Sequence, residues 1–179
     1  MILEIPTADD FSRSSLNLLN HAWTIAAMLV RDQDALEEDS LENIDQEENE
    51  EKNFWHYAQT ELANAYTLMQ QAQEMALKGL ISKVSPYLLI SDSRNWPRQC
   101  EKRDILFSEF YTVDANELTK IHDTVASDRL VPEFTDSFNN IRRIRNHFVH
   151  GVRNKSNLRP KDIFKHVLET VKFLHPGCY

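Results

Sequence analysis

Apolar residues recur at intervals of three and four along much of this chain, which is the spacing of one buried helix face. The longest run covers residues 54–84, and Pro86 closes it because proline cannot continue a helix. An earlier run follows Ser14 and Ser15, either of which suits a helix N-cap, and we expect this helix to end near Arg31. The pattern therefore predicts an all-α protein with one long central helix.

The second half of the chain carries four shorter runs of the same kind. Residues 102–111 and 114–126 predict two modest helices. The next helix is expected to begin near Thr135, and the last has Pro160 in its first turn, where proline is tolerated. The apolar ladder of the Thr135 helix consists of Phe138, Ile141, Ile144 and Phe148. Together these runs fit a helical bundle with additional short helices.

Length and composition agree with a single domain over residues 1–179. The chain is 41% hydrophobic, and three Gly and six Pro are too few for a sheet-rich fold with many tight turns. No apolar stretch approaches the roughly 18 to 20 residues of a membrane span, and the N-terminus lacks the basic region of a signal peptide. We therefore expect a cytoplasmic protein with no membrane partner. Cys100 and Cys178 form no Cys-x-x-Cys pair, so neither a disulfide nor a metal site is expected.

The net charge of −8 conceals a strong segregation of charge along the chain. Residues 32–52 hold eleven Asp and Glu against Lys52 alone, a contribution of −10 that leaves +2 for the remainder. We expect an acidic, flexible insertion at about residues 32–53, either a solvated loop or a frayed helical arm, because like charges repel. A further hypothesis is that this segment imitates RNA phosphates and covers a basic groove. Residues 142–172 hold nine Lys and Arg against two acidic residues, or +7, which favours a phosphate ligand there.

This basic region begins with a string whose residue types suit cleavage of a phosphodiester. It reads Arg145-Asn146-His147-Phe148-Val149-His150-Gly151. The guanidinium of Arg145 offers a planar fork of donors to phosphate oxygens, and the imidazole of His150 can carry or accept a proton near neutral pH. Their five-residue separation places them about 140° apart around a helix, so a partner surface is needed for them to converge. Gly151 is expected to cap the helix C-terminus, and Arg142 and His147 share the same spacing.

The string, together with the earlier Ala72-Gln73-Glu74-Met75-Ala76-Leu77-Lys78-Gly79-Leu80, resembles the HEPN family of small helical domains. The mark of that family is an Arg-polar-x-x-x-His motif near the end of a helix, and the resemblance covers about residues 13–175. It implies an up-and-down helical bundle, a two-fold dimer and a metal-independent endoribonuclease that uses no cofactor. In such a dimer, both copies of Arg145 and His150 border one cleft.

On this interpretation, Arg145 and His150 are the catalytic residues. His150 deprotonates the ribose 2′-hydroxyl and Arg145 stabilises the charge on the phosphorane, which yields a 2′,3′-cyclic phosphate and a 5′-hydroxyl. Two neighbours are supporting candidates. Asn146 either positions the His or the phosphate by hydrogen bonds from its side chain, or caps the helix end. His147 either contacts phosphate or is exposed. The remaining histidines have no companion motif, and we expect no function for them: His21, His56, His122, His166 and His175.

The resemblance also implies a toxin or phage-defence effector, often restrained by a nucleotidyltransferase-like antitoxin that modifies a Tyr two residues beyond the motif His. This chain has Val152 at that position, so the acidic segment or another regulatory protein would have to restrain the enzyme. Two other functions stay open, a non-catalytic dimeric adaptor and a nucleotide-binding module. Other chemistries are excluded because the chain has no Glu-x-x-His pair, Gly-rich phosphate loop, Gly-x-Ser-x-Gly or His-Glu-x-x-His motif.

Overall fold

Five α-helices contain most of the residues that the computed structural model describes, namely residues 1–40, 47–91, 104–149 and 158–177. The helices are α1 (Ala8–Ser40), α2 (Glu47–Val84), α3 (Ala115–Val125), α4 (Pro132–Val149) and α5 (Pro160–Leu174). The prediction of a mainly helical fold is confirmed. None of the helices within the described ranges combines the length and apolar character that crossing a membrane requires.

α1 and α2 form an antiparallel pair along the bundle. The start of α1 lies against the end of α2, because a Cβ atom at Gly79 would be 3.2 Å from the Ala8 carbonyl oxygen and 3.2 Å from the Phe11 Cβ. Further along the pair, Leu29 and Ala58 belong to the same buried cluster. The glycine at position 79 therefore allows the two helices to approach closely.

The N-terminus of α1 is a capping box that precedes the predicted caps. The Thr7 Oγ1 accepts a hydrogen bond from the Asp10 amide at 3.2 Å, while the Thr7 amide and hydroxyl donate to the Asp10 carboxylate at 2.9 and 2.7 Å. These hydrogen bonds hold the pKa of Asp10 below its usual value. Ser14 and Ser15 lie inside the helix and Ser15 is buried, so the predicted start was wrong.

The other end of α1 was also predicted wrongly, because the helix extends to Ser40 rather than ending near Arg31. The Gln33 side chain donates to the Glu37 carboxylate one turn later, at 2.9 Å. Such contacts offset part of the repulsion between like charges, and extending a formed helix is far easier than nucleating one. α2 begins at Glu47, so the acidic segment is helical on both sides of residues 41–46, which lie outside the described residues. The flexibility of this insertion stays a prediction.

Two buried apolar clusters fill the bundle. The first joins α1 and α2 to the second half of α4 and the first half of α5, and it includes Leu29, Leu62, Tyr66, Met69, Ile141, Leu158 and Ile163. The second joins the end of α2 to α3, the start of α4 and the end of α5, and it includes Leu77, Ile81, Leu89, Leu118, Phe134, Phe138 and Leu174. Because α4 contributes to both clusters, its rotation about its own axis is fixed by the core.

The region between α2 and α3 departs from the predicted pair of helices. Strand β1 (Ile2–Leu3) pairs in parallel with strand β2 (Ile105–Leu106), and a 3₁₀ turn over Phe107–Glu109 follows. The expected helix over residues 102–111 was therefore wrong. Three consecutive apolar residues at positions 105–107 lack the helical interval, and the Ile105 amide donates to the Met1 carbonyl oxygen at 3.0 Å.

The remaining predictions agree more closely with the structure. Pro86 opens a 3₁₀ turn over Pro86–Leu89 directly after α2, as the proline predicts. α3 lies within the predicted residues 114–126, and α5 begins at Pro160. α4 starts at Pro132, slightly before the expected Thr135, because proline suits the first turn of a helix.

Candidate functional site

The described part of the motif lies at the end of α4, whose apolar ladder faces the core. Phe134, Phe138 and Ile141 are buried, and Ile144 and Phe148 pack against the first cluster. This ladder turns the intervening polar residues toward the surface, since residues three and four apart share one face of a helix. The apolar ladder expected from the sequence therefore packs against the core, and Arg145 lies beside it on α4.

Arg145 is half-buried near the end of the described part of α4. Its Nη1 donates a hydrogen bond to the Asn146 Oδ1 at 2.9 Å. This bond orients the guanidinium, and the two predicted roles of Asn146 stay predictions. Among the described residues, Arg145 forms no ion pair with a carboxylate.

A shallow hollow lies on the neighbouring face of α4. Its volume is about 340 Å³, and its lining residues are Asn139, Arg142, Arg143, Asn146 and His147. These positions are three or four residues apart along α4, so they lie on one face of the helix. Arg143 is exposed and donates to the Asn140 Oδ1 at 3.0 Å, while Arg142 and His147 are half-buried. Arg142 and His147 are five residues apart, as Arg145 and His150 are, and both line this hollow.

The proposed general base lies outside the described residues. The described part of α4 reaches Val149, and the next described residue is Leu158. His150, Gly151 and Val152 fall between them, so the pairing of His150 with Arg145 and the glycine C-cap stay predictions.

Leu158 is held in place by a residue that the sequence analysis missed. The Gln59 Nε2 donates to the Leu158 carbonyl oxygen at 3.1 Å, and the Gln59 Oε1 accepts from the Leu158 amide at 3.0 Å. This two-point contact fixes the position from which the chain enters α5. A signal for it exists in the sequence, because Gln59 is a polar residue three positions before the buried Leu62 on an otherwise apolar face.

A second polar cluster ties α4 to α5. The Ser137 Oγ lies 3.0 Å from the His166 Nδ1, and the Glu169 Oε2 lies 3.3 Å from the same nitrogen. A Ser-His-acid triad would place the hydroxyl and the carboxylate on opposite ring nitrogens, so this cluster lacks that geometry. Burial lowers the pKa of His166, and the nearby Glu169 carboxylate opposes this only in part. A neutral His166 therefore serves as a link between helices.

Tyr66 completes this link from α2. Its ring packs edge-on against the His166 ring, with 6.1 Å between centroids. Burial raises the pKa of Tyr66 to about 12, and the negative charge of Asp162 adds to the effect. The hydroxyl is consequently neutral at physiological pH and unsuited to act as a base there.

No group of three or more His, Cys, Asp or Glu side chains that could hold a metal ion is found within residues 1–40, 47–91, 104–149 and 158–177. The chemistry available at the end of α4 is that of guanidinium, carboxamide and imidazole groups. Comparison of the chain with protein-family models, with curated proteins and with solved structures gives no match.

Proposed function

We propose that this protein is a metal-independent endoribonuclease of the HEPN type that acts in the cytoplasm as a homodimer. The observation that carries the proposal is the terminal part of α4, where Arg145 is oriented by Asn146 and has no carboxylate partner among the described residues. A guanidinium without an internal counterion is suited to phosphate oxygens, which accept its donors in a bidentate fashion.

The proposed reaction needs one base, one charge stabiliser and one acid. His150 removes the proton from the ribose 2′-hydroxyl, and the 2′-oxygen then attacks the adjacent phosphorus. Arg145 stabilises the negative charge on the phosphorane oxygens. The bond from phosphorus to the 5′-oxygen breaks as a second protonated group donates to that oxygen. A 2′,3′-cyclic phosphate and a 5′-hydroxyl result, and DNA is not cleaved because it lacks the nucleophile.

The test is cleavage of an end-labelled single-stranded RNA in the presence of a chelator. We expect His150→Ala to reduce cleavage by about 100- to 10,000-fold, the usual contribution of general acid-base catalysis. A 2′-deoxy substitution at the cleaved position should block the reaction, and His21→Ala, at an exposed histidine of α1, is the matched control. Full activity in a folded His150→Ala protein would eliminate the proposal.

The homodimer is proposed because Arg145 and His150 are five residues apart, about 140° around one helix, so that a partner surface is needed for them to converge. If two protomers share the cleft, specific activity should fall on dilution in step with dissociation measured by sedimentation. Activity that persists in a fully monomeric sample would contradict the dimer while leaving the chemistry intact.

The same proposal extends to a role as a toxin or phage-defence effector. Uncontrolled RNA cleavage would arrest the growth of a host that expresses the chain, whereas a His150→Ala version would not. Since Val152 replaces the modifiable Tyr of the resemblance, restraint by a separate regulatory protein or by the acidic segment is proposed instead of nucleotidylation.

A further inference from the structure

The second half of α4 is basic, whereas its first turns carry Glu133 and Asp136. Residues 137–149 contain three Arg and no Asp or Glu, although the whole protein has a net charge of −8. Arg142 and Arg143, like Arg145, form no ion pair with a carboxylate in the parts of the chain that the structure describes. Within the described residues no carboxylate balances these three guanidinium groups, and a cluster of positive charge of this kind favours an anionic ligand.

The hollow beside this face is separate from the Arg145 side chain. Arg142 and Arg143 line it together with Asn139 and His147, whereas Arg145 does not. Asn146 belongs to both, since it lines the hollow and accepts the hydrogen bond from Arg145. Through Asn146 the hollow adjoins Arg145, so one strand could place two neighbouring phosphates at the two positions.

We propose that the hollow is a second phosphate subsite, which binds the RNA phosphate next to the scissile one. The inference rests on the proposed function for the identity of the scissile phosphate. Arg142 and Arg143 supply guanidinium donors to the phosphate oxygens, and the Asn139 amide and His147 add further polar groups. Contacts of this kind position the strand without reading its sequence. The preferred substrate is therefore an RNA of several nucleotides rather than a single dinucleotide step.

Binding is measured first in the His150→Ala background, where the RNA stays intact. We expect the double variant Arg142→Gln, Arg143→Gln to bind a ten-nucleotide RNA about tenfold more weakly, since charged hydrogen bonds to phosphate are lost. The affinity should also depend less on salt. A plot of log affinity against log salt concentration should become less steep by about 0.7 for each phosphate contact that is removed. The pair of changes Arg13→Gln and Arg31→Gln is the matched control, because it also removes two positive charges, both from exposed sites on α1.

Kinetics in the active protein give an independent readout. For the ten-nucleotide RNA, Arg142→Gln, Arg143→Gln should raise KM and change kcat little. For a dinucleoside monophosphate, which has no flanking phosphate, the same variant should have a markedly smaller effect on KM. Thermal unfolding of each variant, and the single variant at the exposed Arg143, control for damage to the fold.

The outcomes separate this inference from the proposed function. Unchanged RNA affinity and salt slope in the double variant would overturn the subsite even if RNA is cleaved. RNA binding that depends on Arg142 and Arg143 without any cleavage would retain the subsite and overturn the ribonuclease. A protein that binds no RNA at all would overturn both.

Discussion

His175 is a buried imidazole held between two hydroxyl groups. The Ser15 Oγ lies 2.9 Å from its Nε2, and the Ser12 Oγ lies 3.3 Å from its Nδ1. Both serines belong to α1, so the ring joins the end of α5 to the first helix. Burial lowers the pKa of His175 below 6.5, and the positive charge of Lys83 lowers it further. The fold therefore favours the neutral ring.

This predicts that stability falls on acidification. Because the folded-state pKa of His175 is depressed, the unfolded chain binds the proton more readily, and stabilisation present above about pH 6.5 is lost as the pH falls toward the folded-state pKa. The free energy of unfolding in urea should decrease between pH 7.5 and pH 5, and less steeply in His175→Gln. His21→Gln controls for the loss of one exposed imidazole. An identical pH slope in His175→Gln and the wild type would refute this account.

A second residue-scale prediction concerns the buried pair Gln73 and Thr170. Both side chains are fully buried, and the Gln73 Nε2 donates to the Thr170 Oγ1 at 3.0 Å. Thr170→Val would leave the amide without this acceptor, and should lower the free energy of unfolding by about 1 to 3 kcal/mol. Adding Gln73→Met should restore part of that loss, since it removes the orphaned donor. If the losses of unfolding free energy from the two single changes simply add in the double variant, the two side chains are not coupled. Denaturant melts of the three variants measure this.

At the scale of elements, the close approach of α1 and α2 depends on Gly79. A side chain there meets the Ala8 carbonyl oxygen, a backbone atom that cannot move without moving α1. We expect Gly79→Val to lower the free energy of unfolding by about 2 kcal/mol, as overpacking of a close contact commonly does. Because valine forms helices better than glycine, any loss of stability in Gly79→Val reports the close contact and not helix propensity. Unchanged or increased stability in urea melts of Gly79→Val would argue against steric conflict at Gly79.

The behaviour of α4 was largely predictable from the sequence. Its ladder of Phe138, Ile141, Ile144 and Phe148 dictates which side faces the core, and thereby which side presents Arg145. The short strand at Ile105 could not be predicted from a local pattern, because its partner is the N-terminus, about a hundred residues earlier in the chain. Likewise, no local signal indicated that Ser15 would bond His175 rather than cap a helix.

At the scale of the whole molecule, Gln59 connects the α1–α2 pair to the chain that follows the motif. It satisfies both backbone groups of Leu158, a residue that is 4% exposed. We expect Gln59→Ala to lower the free energy of unfolding by about 2 kcal/mol, because buried backbone groups lose their partners. The exposed Gln71 on the same helix provides a matched control as Gln71→Ala.

The same change should affect function if the proposed ribonuclease is correct. Leu158 is the first described residue after the stretch that contains the proposed base His150. Gln59→Ala should therefore reduce kcat more than KM at a temperature where the variant remains folded. Unaltered kcat in a measurably destabilised Gln59→Ala protein would show that this anchor has no bearing on catalysis.

The sequence by itself determined the mainly helical class, the central helix, and the basic surface of α4, since each depends on residue spacing or charge within a single segment. Only the tertiary structure decided the tie between Gln59 and Leu158, the link from Ser137 to His166, and the hollow beside Arg142 and Arg143. Such contacts join segments far apart in sequence, or depend on how one helix is rotated by the core. Local periodicity carries no information about which distant partner a polar side chain will meet.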